Sequence, residues 1–158
     1  MFKEFYDWAS KKGWRIEEQS DIIPLPSIIN NRYSNIPLSW KDFISRLTLC
    51  CNQSETVWFL TPNDFLQKPE EQFQWNELEL QSIESADEDQ EIKEYVISYW
   101  DKHMPIIMSV DGEYSYYAIN MENGNVVYGY EPEYEESTIA AANFNSFIEK
   151  VMAEEIIL

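Results

Sequence analysis

A chain of 158 residues is the usual size of one domain and can bury roughly two thirds of its unfolded surface, so no metal or disulfide is needed for folding. Hydrophobic residues at 44%, aromatics at 15% and charges at 25% exclude a globally disordered chain. The formal charge of -18 is concentrated: residues 1–69 hold eight acids and eight bases, and the other 21 acids share residues 70–158 with only Lys93, Lys102 and Lys150, which disfavours direct binding of nucleic acids or anionic membranes.

The N-terminus opens Met1-Phe2-Lys3-Glu4-Phe5, with charges throughout and no continuous apolar run, so a signal peptide is not expected and a cytoplasmic location is. Phe2, Phe5, Tyr6 and Ala9 recur at helical spacing before Gly13 and predict a helix over 2–12. Pro24, Pro26 and Pro37, with Asn30-Asn31, predict an extended irregular connection over 19–37. Ser39 with Asp42 resembles a capping box, and Trp40, Phe43, Ile44 and Leu47 form one apolar helical stripe after it. The adjacent Cys50 and Cys51 are expected as reduced thiols, at least one of them buried, because a bridge between neighbours closes almost no loop. Thr56 to Leu60 is β-branched and aromatic and predicts a strand, and Thr61-Pro62-Asn63-Asp64 reads as the cap of a short helix.

The acidic run Glu84-Ser85-Ala86-Asp87-Glu88-Asp89-Gln90-Glu91 is expected to face solvent. Ile92, Tyr95, Val96 and Tyr99 resume helical spacing behind it and predict a helix from about Asp87 to Trp100, with acids at its positive end. From Met104 the period changes. The runs 104–110, 113–120 and 125–131, separated by Asp111-Gly112 and Glu122-Asn123-Gly124, predict a three-stranded antiparallel meander. Ser137 is the expected cap of a last helix in which Ala140, Phe144, Phe147, Ile148 and Val151 share a face. The whole predicts one α+β domain over 1–158, mostly antiparallel in its sheet, with the N-terminal helix and proline-rich connection over 1–37 and a core over 38–152.

Catalysis needs a nucleophile, a tuned acid or base, or a metal. His103 is the only histidine, which excludes a multi-histidine metal site, and its place before Met104-Pro105 fits an exposed or hydrogen-bonded residue near a helix end. Cys50 lacks the surrounding motif of a catalytic cysteine. Asp87, Asp89 and Glu91 lack the glycine and terminal glutamate of a calcium loop, and the four glycines form no phosphate-cradling loop. No enzyme activity, cofactor or metal is therefore expected. What remains is acidic surface in two patches, 84–94 and 131–136, the second interleaved with Tyr128, Tyr130 and Tyr134. Acids that steer a partner beside aromatics that supply contact area are ingredients of a protein interface, although acids also simply keep a protein soluble.

The segment Ile36-Pro37-Leu38-Ser39-Trp40-Lys41-Asp42-Phe43-Ile44 followed by Trp58-Phe59-Leu60 resembles the early helix-then-strand signature of the SUKH superfamily, which includes fungal cell-wall assembly regulators and bacterial immunity proteins. The run Tyr114 to Ile119, the turn at Asn123-Gly124 with Val126-Val127-Tyr128 after it, and Ala140, Phe144 and Phe147 are similar too, so the resemblance spans most of residues 36–150. In place of the family's glycine-rich turn after its first helix stands Leu49-Cys50-Cys51-Asn52-Gln53. The resemblance implies an α+β fold and an immunity protein that neutralises a cognate toxin, for example a nuclease, whose basic cleft an acidic inhibitor can cover. The alternative is a regulatory or scaffolding module with no toxin partner. Charge and expected exposure, not a family motif, select Glu84, Asp87, Glu88, Asp89, Glu131, Glu133, Tyr134, Glu135 and Glu136 as the partner-binding residues.

Overall fold

The computed structural model describes residues 2–70 and 72–158. Among them, seven strands form one antiparallel sheet in which every strand pairs with its neighbour in sequence. The strands are β1 (Arg15–Glu18), β2 (Leu47–Cys51), β3 (Val57–Phe59), β4 (His103–Ser109), β5 (Ser115–Asn120), β6 (Val126–Tyr130) and β7 (Thr138–Ala141). Six helices pack against it: α1 (Phe2–Lys11), α2 (Ser27–Arg32), α3 (Leu38–Ile44), α4 (Glu77–Ser85), α5 (Gln90–Lys102) and α6 (Phe144–Met152). None of these helices is long and apolar enough to cross a membrane.

Alternation along the strands divides the helices between the two faces. Register sets Phe59 opposite Ile107 and Ile107 opposite Tyr117. On that face Phe59 meets Phe5 and Phe43, and Tyr117 meets Phe147, so α1, α3 and α6 cover it. The next residues along point the other way: Trp58, Met108 and Tyr116 are in register, and Tyr116 packs on Trp100 of α5 with ring centroids 4.8 Å apart. Helices α4 and α5 lie over this second face. Edge-to-face rings dominate the first, with Phe43 touching Phe2, Phe5 and Phe144, each contact adding to the area it buries.

The helix expected over 2–12 and the strand expected over 56–60 form as α1 and β3, and the expected meander forms as β4, β5 and β6. The helix expected from Asp87 starts later: Asp89 accepts a hydrogen bond from the Ile92 amide and caps α5, which runs to Lys102. Several local expectations are corrected. The proline-rich connection contains α2, entered through Pro26 at a φ that suits a helix start. Pro37 starts α3 at Leu38, so Ser39 lies inside the helix and no capping box forms. Leu47, read as helical, opens strand β2, and Leu49 to Cys51 are strand and not loop. Thr61 to Asp64 makes turns in place of a short helix: the Asp64 carboxylate accepts from the amide and the hydroxyl of Thr61 at 2.8 Å, as in a capping box, but the backbone bonds that follow are turn bonds, from the Asp64 amide to the Thr61 carbonyl and from the Leu66 amide to that of Asn63. Ser137 caps no helix; strand β7 follows it, and Asn143 caps α6 by accepting from the Ser146 amide.

Candidate functional site

The two acid-rich segments are far apart in sequence and meet at one groove. Helix α4 ends at Ser85, the turn over 86–89 reverses the chain, and α5 returns antiparallel to it. Asp87 takes a left-handed backbone with φ 49° in that turn, a conformation aspartate tolerates better than most residues. Opposite, strand β6 ends at Tyr130 and the loop 131–136 lies against the two helices. Between them is a groove of about 440 Å³ lined by Gln81, Ser82, Ser85, Ala86, Ile92, Tyr95 and Val96 on the helical side and by residues 131–136 on the other. Four glutamates line it and no lysine, arginine, histidine or cysteine does.

Hydrogen bonds fix the loop from below. The Tyr116 hydroxyl, fully buried, donates to the Tyr134 carbonyl. The Tyr99 hydroxyl lies 2.7 Å from that of Tyr116 and donates to Ser137 Oγ at 2.6 Å. Burial pushes the Tyr116 hydroxyl well above the ordinary tyrosine range and raises that of Tyr99, so both remain protonated near pH 7. Trp100 Nε1 donates to Glu135 Oε1 at 2.7 Å, the Tyr114 amide to Glu131 Oε1 at 3.0 Å, and the Tyr134 hydroxyl to Gln81 Oε1 at 3.1 Å. Gly129 makes the arrangement possible. It pairs with Tyr116 across the sheet, and a Cβ there would stand 2.5 Å from the Tyr116 ring.

The residues selected from sequence therefore separate by role. Glu133 and Glu136 are exposed on the groove's rim with their carboxylates free of hydrogen bonds or ion pairs among the described residues, while Glu131 and Glu135 line the groove but also hold the loop. Tyr134 is only 4% exposed and its ring belongs to the core. Glu84, Asp87, Glu88 and Asp89 are all exposed on the helical turn beside the groove and do not line it, and Asp89 is occupied as a cap.

The groove's apolar lining was not legible as surface. Tyr95 is 58% exposed and Ile92 48%, and Pro132 faces them from the loop, joined to Glu131 by a cis peptide. Ile92, Tyr95, Val96, Tyr99 and Trp100 follow the spacing of an ordinary core-facing stripe, so nothing in that pattern marks Ile92 and Tyr95 as surface.

The remaining chemically active side chains are engaged elsewhere. His103 stacks on Tyr99 at 4.0 Å; its Nδ1 donates to the Tyr99 carbonyl and its Nε2 accepts from Asn120. Burial lowers its pKa from the ordinary value, partly offset by the Tyr99 carbonyl, so the ring is neutral near pH 7. Both cysteines are free thiols in buried residues, and burial raises the Cys50 thiol far out of the reactive range. Among the described residues, no group of three or more His, Cys, Asp or Glu is arranged to hold a metal ion.

No family model matches the chain, and no curated protein or solved structure is similar to it.

Proposed function

We propose that this chain is a non-catalytic, cytoplasmic binding protein that docks a basic protein partner on the groove between the α4–α5 turn and the loop 131–136. The observation that carries this reading is convergence: two acid-rich segments about forty residues apart border one concave surface with an apolar floor, and no basic side chain lines it.

The landmarks that resemble those of the SUKH superfamily extend the proposal to an immunity protein whose partner is a cognate bacterial toxin domain. A nuclease fits best, because its nucleic-acid cleft is basic and an acidic inhibitor is steered to it over long range. Co-expression with the product of the neighbouring gene, followed by affinity purification at low and at high salt, tests this. The expected result is a basic partner retained at low salt and weakened at high salt. Retention of no basic partner at low salt contradicts the docking reading, and capture of a host protein with no toxin gene adjacent favours a scaffolding module.

A further inference from the structure

Resting on the reading of the groove as a docking site, we propose that its occupant is an arginine of the partner, its guanidinium laid on the exposed Tyr95 ring and held by the Glu133 and Glu136 carboxylates, with an apolar neighbour against Ile92 and Pro132.

The chain carries an internal precedent for this arrangement. Arg32 forms a bidentate pair with Glu79 at 2.7 and 2.8 Å and reaches Asp101 with Nε at 2.9 Å, while its guanidinium carbon sits 5.5 Å from the Tyr33 ring centroid and 5.8 Å from that of Trp75. Two carboxylates and aromatic faces thus hold one guanidinium within the fold. The groove presents the same kinds of group: a half-exposed aromatic ring, two glutamates unpaired among the described residues, and no basic residue in its described lining.

An arginine fits better than a lysine for physical reasons. The guanidinium is planar and weakly hydrated, stacks on an aromatic face and offers a fork of donors to carboxylates. An ammonium is a strongly hydrated point charge, and bringing it onto the apolar floor formed by Ile92, Val96 and Pro132 costs more desolvation. The loop is also set in advance. The hydroxyl of Tyr116 and the indole of Trp100 hold its backbone and Glu135, so the loop that carries the rim carboxylates is ordered before the cation arrives, and only the Glu133 and Glu136 side chains lose rotamer freedom. A second copy of the chain is disfavoured as occupant by the charge of -18 on each molecule.

The test uses a short fluorescein-labelled peptide with arginines spaced among leucine and alanine, and its counterpart with lysine at the same positions, titrated by anisotropy at low ionic strength against the wild type, Tyr95→Phe and Tyr95→Leu. The arginine peptide is expected to bind on the order of tenfold tighter than the lysine peptide. That preference persists in Tyr95→Phe, which keeps the ring, and disappears in Tyr95→Leu, which keeps the bulk. Equal affinities, no binding of the arginine peptide, or a preference unchanged in Tyr95→Leu each overturn the inference. Equal affinities together with capture of a basic partner in the co-expression experiment discard the arginine and leave the docking reading in place, whereas an intact arginine preference with no partner captured keeps the groove as an arginine-docking site and discards the neighbouring gene's product as its partner.

Discussion

The Tyr116 hydroxyl lies between the Tyr134 carbonyl and the Tyr99 hydroxyl, fully inside the protein. In Tyr116→Phe both partners lose their contact and the carbonyl is left buried without a donor, which costs about 1–3 kcal/mol. The drop is read as a lower urea midpoint with unchanged m-value, and an unchanged midpoint contradicts the role given to this hydroxyl. His103 supplies a pH dependence of known sign. Its folded pKa is below the unfolded value, so as pH falls through about 6.5 the unfolded state takes up the proton first and the folded state loses stability. Protonation would also place an N–H against the Asn120 amide that now donates to Nε2. Between pH 7.5 and 5.5 the wild type is therefore expected to lose stability relative to His103→Gln, measured by urea titration at each pH. A difference that stays flat, or grows with falling pH, contradicts it.

At the scale of elements, Asp89 shows that an acid on a charged turn can have a local task. Its carboxylate accepts the Ile92 amide and fixes where α5 begins, which places Ile92 and Tyr95 at the groove. Asp89→Ala is expected to lower stability by about 1 kcal/mol, whereas the exposed Glu88→Ala stays within about 0.5 kcal/mol, both read from thermal or urea unfolding. Equal effects would remove the cap from the account. The same element shows how far the sequence could be read. Apolar periodicity was enough for α1 and α5, and the glycine turns were enough for the meander of β4, β5 and β6, because those signals are local. Strand β1, Arg-Ile-Glu-Glu, has no alternation to read, since it is a mostly exposed edge held by pairing with β2. Strand β7 contains Ala140-Ala141, good helix formers, and is extended because it pairs with β6. Acidic α4 hides its one buried carboxylate, Glu79, which a helix pattern would assign to solvent and which Arg32 accounts for.

Over the whole molecule, the sheet determines which charges become neighbours. Its sequential order places the end of β6 on the face covered by α4 and α5, and so brings residues 131–136 to the turn after residue 84. Composition made the acids visible as two patches; it could not show that they border one groove, nor that Glu131 and Glu135 hold the loop while Glu133 and Glu136 are free. That division makes the docking claim specific. With the partner retained at low salt, the most direct measurement is its dissociation constant for the wild type, for Glu133→Lys/Glu136→Lys and for the control Glu113→Lys, an exposed acid outside the groove. The account predicts that the double reversal weakens binding on the order of a hundredfold without lowering the unfolding midpoint, and that the control changes it little. Affinity that survives the double reversal, or falls equally with Glu113→Lys, contradicts it.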